Sequence, residues 1–184
     1  MPSPIGHALA GVAAGCLVGG GSSVAALGIG QLRAGLGRIK ELWLSREVLG
    51  FGLLGVVPDV DFLFGSHSTY THSLGAVVGV GCVATMVPGS SRVRFAAAAA
   101  AAYGSHVLLD WLGTDTMAPF GVMALWPFSD AFFLSDHHWF FSVCRQFGDA
   151  RCWQHNTEGV LWEIVTLAPL AIAASWLAVA VYRR

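Results

Sequence analysis

Long apolar stretches alternate with short polar connections along this chain, near residues 7–30, 48–64, 72–88, 94–113 and 160–182. Crossing ~30 Å of hydrocarbon takes roughly 20 apolar residues in a helix. The pattern therefore predicts an all-α, polytopic transmembrane helical bundle of about five spans, built as one domain over residues 1–184. The second and third stretches are short, and both end beside polar motifs. A further apolar patch, Met117 to Phe128, is interrupted by Pro119, Gly121 and Pro127. Proline there breaks helical bonding, so the patch is expected to be re-entrant or to lie on the surface, outside the count of spans.

Composition strengthens this picture: 55% of residues are hydrophobic and 11% are charged, against about a quarter charged in ordinary soluble domains. Lipid is the expected environment. The formal net charge of −1 gives no electrostatic basis for binding nucleic acid. The first arginine is Arg33, beyond the first apolar run, so that run lacks the basic start of a signal peptide and reads as a retained span. Gly11/Gly15, Gly15/Gly19 and Gly75/Gly79 have the small-xxx-small spacing that lets helices touch, although among 23 glycines the spacing also arises by chance.

Charge suggests an orientation. Arg33, Arg38, Lys40, Arg46, Arg92, Arg94, Arg183 and Arg184 follow the first, third and last runs, whereas residues 65–71 and 114–159 hold only Arg145 and Arg151. Basic connections stay in the cytoplasm, so residues 114–159 are expected to form an extracytoplasmic loop region of a bacterial inner membrane protein. Trp111, Trp126, Trp139, Trp153 and Trp162 then gather at the outer surface as an aromatic belt, or else fill the loop's own core. Cys144 and Cys152 lie in the same loop, where a disulfide and two free thiols are both open.

The chemistry is concentrated at the ends of these runs. His7 opens the first, Asp59 and Asp61 close the second, His67 and His72 precede the third, and His106 and Asp110 end the fourth. All seven fall on the outer side of the expected topology, although the charge rule used none of them. His106 and Asp110 are four residues apart, which puts both on one helix face. An intramembrane carboxylate costs ~2.5–3.5 kcal/mol, and neighbouring carboxylates repel; a bound cation relieves both penalties. Each histidine taken singly is also explained by capping, but capping gives no reason for convergence. Mixed nitrogen and oxygen ligands suit zinc, or manganese or iron, better than magnesium or calcium, and seven candidates allow one to three ions.

Taken in order, Pro4-Ile5-Gly6-His7, Pro58-Asp59-Val60-Asp61, His67 through Thr71-His72-Ser73, Ser105-His106-Val107-Leu108-Leu109-Asp110 and Trp126-Pro127-Phe128-Ser129 resemble the YdjM-like family of bacterial membrane-bound, metal-dependent hydrolases. One departure is Ser68, where that family commonly carries an arginine suited to a substrate phosphate. The ligand order is also similar to that of the zinc-dependent phospholipase C superfamily. That resemblance makes His137, His138, His155, Glu158 and Glu163 candidates for completing a larger site. The superfamily's metal-ligating N-terminal amine has no counterpart in the sequence pattern, so fewer than three metals are expected.

The residues and the resemblance together predict a metal-dependent hydrolase that cleaves a phosphoester of a phospholipid or lipid-linked phosphate with metal-activated water. His7, Asp59, Asp61, His67, His72, His106 and Asp110 are the expected ligands. Asp59 or Asp61 would accept the proton from water, and His67 would bind metal or orient the substrate. Two alternatives remain: a non-catalytic assembly protein stapled by metal, and a metal-dependent acyl ester or amide hydrolase. No G-x-S-x-G or H-E-x-x-H occurs, which disfavours a serine hydrolase or zincin.

Overall fold

The structure, a computed structural model, describes residues 1–25, 45–64, 67–88 and 92–182. Among these, the α-helices are α1 (Pro4–Ala25), α2 (Arg46–Val56), α3 (Leu74–Ala84), α4 (Arg92–Leu112) and α5 (Ala150–Tyr182), with 3-10 segments at Val57–Phe64 and Tyr70–His72. No strand occurs among them, only two isolated bridges, Gly113 with Phe140 and Val122 with Phe133. Serines start two of the helices: Ser45 Oγ accepts from Val48 N at 3.3 Å and Ser73 Oγ accepts from Ala76 N at 3.0 Å, each occupying an orphan donor of a first turn.

The expectation of about five spans is overturned. Among the described residues one helix, α5 over Ala150–Ala178, is long and apolar enough to cross a membrane, with a mean hydropathy of 1.7. The physical reasons differ from run to run. α1 is apolar over Pro4–Gly20 but is interrupted at Gly20, where φ is 54°. α2 has 11 residues; Pro58 brings no N–H to the ladder, and the backbone tightens into the 3-10 segment that carries Asp59 and Asp61. α3 also has 11 residues. α4 has 21, but Arg92, Arg94, Tyr103, Gly104, Ser105, His106 and Asp110 dilute its apolar residues. The end of the first apolar run, with Arg33, Arg38 and Lys40, and the terminal Arg183 and Arg184 lie outside the described residues.

α1 is the central element and packs against α5, α4 and α2, while α3 packs on α4. The core around it is made of small residues and one large ring: Val12, Cys16, Phe51, Ala98, Ala102, Ala171 and Ala174. Outward, apolar side chains stay exposed on α2, α3 and α5, among them Leu53, Val78, Val83, Leu161, Val165, Leu170 and Trp176. Trp111, Trp126, Trp139, Trp153 and Trp162 are exposed as well, which removes burial in the loop's own core as their explanation.

Residues 113–149 fold over the ends of α4 and α3 without regular structure. Ser135 N and Trp139 N donate to Trp111 O and Leu112 O, while Leu74 N and Gly75 N donate to Ala124 O and Trp126 O. Cys144 and Cys152 form a disulfide, deciding between the two states that the sequence left open.

The approach of α1 to α2 is set by glycine. A Cβ at Gly55 would sit 2.3 Å from His7 O, and one at Gly11 would sit 2.4 Å from Phe51 O. Gly15 meets the Phe51 ring, whereas Gly79 faces open space, so the small-residue spacing reports packing on α1 and not along α3. Gly55→Ala is therefore expected to destabilise by about 1–3 kcal/mol through overpacking. Gly79→Ala is expected to be neutral or slightly stabilising, because it gains helix propensity in open space. Thermal melts of the two variants in the same detergent check the contrast.

Candidate metal centre

Four separate segments deliver the chemistry-bearing side chains. Pro4 begins α1, as suits a residue whose missing N–H is not needed there, and His7 follows one turn later, its N–H bonded to Ser3 O at 3.1 Å. Ser3 is itself clamped by α5: its N–H donates to Glu163 Oε1 at 2.7 Å and its hydroxyl donates to Glu163 Oε2. The 3-10 segment after α2 presents Asp59 and Asp61. The turn before α3 presents His67, Thr71 and His72, and α4 presents His106 and Asp110 one turn apart.

These segments meet. His72 Nε2 and His106 Nε2 face each other at 3.0 Å. Asp110 Oδ2 lies 3.2 Å from the first and 3.1 Å from the second, and Asp59 Oδ1 lies 3.7 Å and 3.5 Å from them. One ligand atom from each of Asp59, His72, His106 and Asp110 fits within 4.8 Å of the others, a group able to hold a metal ion. His7 stands beside it, stacked on the His106 ring with centroids 3.7 Å apart and with Nε2 3.3 Å from Asp110 Oδ1. His7, His72, His106 and Asp110 are fully buried.

Hydrogen bonding fixes where the imidazole protons sit. His106 Nδ1 lies 2.7 Å from Gly55 O, and a carbonyl can only accept, so Nδ1 carries the hydrogen. His72 Nδ1 lies 3.1 Å from Asp61 Oδ2 and 3.0 Å from Thr71 Oγ1, and that hydroxyl donates to Asp61 at 2.9 Å. Nδ1 of His72 is thus the donor as well. In their neutral forms both histidines aim Nε2 lone pairs at one point, where two carboxylate oxygens also aim. Outer hydrogen bonds from Nδ1 to a carbonyl or carboxylate are the arrangement that orients histidines toward metals.

Electron-rich atoms so close together require a cation between them. The buried atoms without a hydrogen-bond partner make the same point: they include both ring nitrogens of His7, His67 Nε2 and both oxygens of Asp110. No lysine or arginine among the described residues makes an ion pair with these aspartates. Without a metal, a proton must serve. Burial disfavours charge on His72, but Asp110, Asp59 and Asp61 outweigh it and push the imidazole up to about 11. Burial likewise opposes ionisation of Asp61, yet the bonds from His67, His72 and Thr71 hold its carboxyl well below the usual range. The donor set and its spacing could hold a metal ion.

A second group, Asp61, His67 and His72, is also close enough to hold an ion. His67 Nδ1 lies 2.9 Å from Asp61 Oδ1, and Ser68 N donates to Asp61 Oδ2 at 3.1 Å. Both oxygens of Asp61 are thus engaged, and its arrangement is that of a residue orienting two histidines. Six of the seven residues singled out from the sequence belong to these two groups, which share His72, and His7 stands beside them, stacked on His106. The larger set does not join them. Glu163 is taken by Ser3, His155 Nε2 donates to Ser142 O at 2.8 Å, and Glu158 accepts from Gln154 at the surface. His137 lies beside Trp139 in the loop, and His138 occupies a turn with φ of 47°; neither belongs to a metal-sized group.

Sequence reasoning missed the supporting residues. Thr71 bridges Asp61 and His72, Tyr103 OH donates to Thr71 O at 2.7 Å, and the Phe62 ring stacks on His67 at 3.6 Å. The only signal was adjacency: Thr71 precedes His72, and Tyr103 lies three residues before His106.

Thr71→Val is expected to keep the fold and lower metal affinity by 10–100-fold, the usual effect of losing an outer hydrogen bond. Titration with a competing chelator measures it, and Thr71→Ser should restore most of the loss.

No curated protein and no solved structure matches the chain. One family profile does, described as the YdjM inner membrane protein, and it covers residues 1–182. With the match running across nearly the whole sequence, the chain belongs to the YdjM inner membrane protein family.

Proposed function

We propose that this protein is a metal-dependent hydrolase that cleaves a phosphoester of a phospholipid or lipid-linked phosphate at the membrane surface. The observation that carries the reading is the meeting of two Nε2 lone pairs and two carboxylate oxygens within 4.8 Å of one another. A divalent cation held there, zinc or else manganese or iron, would lower the pKa of a water molecule towards ~7 and polarise a phosphoryl oxygen.

The chain's own residues divide the remaining work. His72, His106, Asp110 and Asp59 hold the ion, with His7 fixing the second oxygen of Asp110. Asp59 is the least buried of the four, its side chain 19% exposed against 0% for the others, so it lies on the side open to water and substrate. It is the residue that accepts a proton from the attacking water. Asp61 has no free oxygen and serves instead to orient His67 and His72. His67, its side chain also 19% exposed, stands at the same opening and orients the substrate.

Exposed apolar surroundings support a lipid-borne substrate. Met117, Phe120, Leu125, Trp126 and Phe128 are exposed in the irregular segment, forming an apolar rim of the kind that holds acyl chains at an interface. The Cys144–Cys152 disulfide supports an oxidising, extracytoplasmic setting for this side of the molecule. The alternative reading, an ion that merely staples helix ends, is favoured by the complete burial of His72, His106 and Asp110; the exposure of Asp59 and His67 argues for access.

Elemental analysis of purified protein is expected to find about one zinc-type ion per chain, lost in His106→Ala. A panel of phospholipids and lipid-linked phosphates should contain a substrate whose kcat falls on the order of 10²–10⁴ in Asp59→Asn. Metal bound in full with no turnover of any panel member would leave the staple as the better account. For the side of the membrane, a cysteine at Asp130, which is exposed, should react with an impermeant maleimide in whole cells. Protection until lysis would place the loop in the cytoplasm.

A further inference from the structure

The start of α1, residues 141–143 of the irregular segment and residues 155–163 of α5 enclose a cavity of about 320 Å³. That volume lies at the small end of ligand pockets. None of its lining residues belongs to the two metal-sized groups. Its deepest residues are Ser3 and Glu163, clamped together and both buried. Ile5 and Phe141, 48% and 47% exposed, stand at its mouth.

The lining leaves little for a polar ligand. Ser3 and Glu163 satisfy each other, His155 Nε2 donates to Ser142 O, and both ends of the Asn156 amide are held by the Cys144 backbone. The rest of the wall, including Ile5, Phe141, Val143 and Val160, is apolar. Water is poorly held in such a space, because it needs several polar partners.

The cavity is also kept from closing. Residues 141–143 are fixed on both sides: Val143 N donates to Met1 O at 3.1 Å, and Trp162 Nε1 donates to Trp139 O at 2.9 Å. The Cys144–Cys152 disulfide adds a third point. Gly159 supplies the room. It is buried within α5, where glycine costs helix stability relative to alanine. Close packing does not demand it, since a Cβ there would lie 3.4 Å from Phe141 Cβ, an ordinary contact.

The surroundings identify the occupant. The chain belongs to an inner membrane protein family, and α5 is the helix among the described residues long and apolar enough to cross a bilayer. Leu161 and Trp162 are exposed beside the cavity wall, and Val165 and Leu170 carry the exposed apolar surface further along α5. An unfilled apolar space next to lipid forgoes dispersion contacts on every wall, and a slender hydrocarbon chain is the neighbour that fills it. Charged groups on this part of α5 are already engaged, Glu158 by Gln154 and Arg151 by Asp149, so the recognised part is the tail and not the headgroup.

We propose that this cavity binds one acyl chain of a membrane phospholipid, lodged between Ile5, Phe141 and Gly159. The lodged chain completes the packing of α1 and residues 141–143 against α5. The site stands apart from the hydrolase reading and does not rest on it.

The test uses full-length protein reconstituted in nanodiscs of phosphatidylethanolamine and phosphatidylglycerol, released into mild detergent and weighed by native mass spectrometry. The parent is expected to retain about one diacyl lipid per chain, with either headgroup. Gly159→Leu, whose side chain fills the cavity, is expected to lose it. Gly79→Leu adds the same bulk where α3 faces open space and is expected to keep it. Val160→Phe serves as a second filling variant, and thermal melts identify the variants that fold. A parent without lipid, a folded Gly159→Leu that retains as much as the parent, or a bound polypeptide in place of lipid overturns the proposal. Should neither filling variant fold, phosphatidylcholine with a diazirine in its tail is photolysed with the parent. Crosslinks at residues 141–143 or 159–160 support the proposal, and crosslinks confined to Val165 and Leu170 overturn it.

Discussion

Two imidazole rings whose outer nitrogens are already committed, one to the Gly55 carbonyl and one to the Asp61 carboxylate, dictate much of what this protein can be. With those protons fixed, the inner nitrogens can only offer lone pairs, and they offer them to each other at 3.0 Å beside Asp110 and Asp59. Such a cluster cannot remain buried without positive charge. The cost is shared among segments far apart in the chain, so an ion at this point ties α4, the 3-10 segment after α2 and the turn before α3 into one unit. Folding and ion binding would thereby be coupled, as in other sites assembled only in the native state.

Helix packing serves the same end. The absence of a side chain at Gly55 lets α2 lie against the backbone of His7, and this contact puts Gly55 O within reach of His106. Small core residues on α1, α4 and α5 keep the axes close. Pro58 stops α2 at the depth where two carboxylates are needed. Backbone geometry, rather than side-chain bulk, sets the spacing of the site.

How much of this the sequence discloses depends on the kind of physics involved. Helical character is legible from apolar runs, and the polar residues stand out because a carboxylate or imidazole beside such runs is costly unless paired. His7, Asp59, Asp61, His67, His72, His106 and Asp110 could all be named that way. Hydropathy, however, sums over residues without seeing where a ladder of hydrogen bonds breaks. It reads Val48 through Phe64 as one run, although α2 ends at Val56 and a different helix follows. The alanine run of α4 likewise reads as a span until Arg92, Arg94, His106 and Asp110 at its two ends are averaged in. Tautomers, the Gly55 carbonyl and the role of Thr71 depend on contacts between residues separated in sequence, which no local pattern encodes.

The clamp between Glu163 and Ser3 joins α5, the one helix among the described residues long and apolar enough to cross a bilayer, to the start of α1. His7 is bonded to that same serine and stacked on His106. The clamp is therefore a mechanical linkage: a tilt of α5 would pull on the first turn of α1 and shear one stacked ring across the other. Lateral forces in the lipid would in this way reach a buried cluster that no lipid touches.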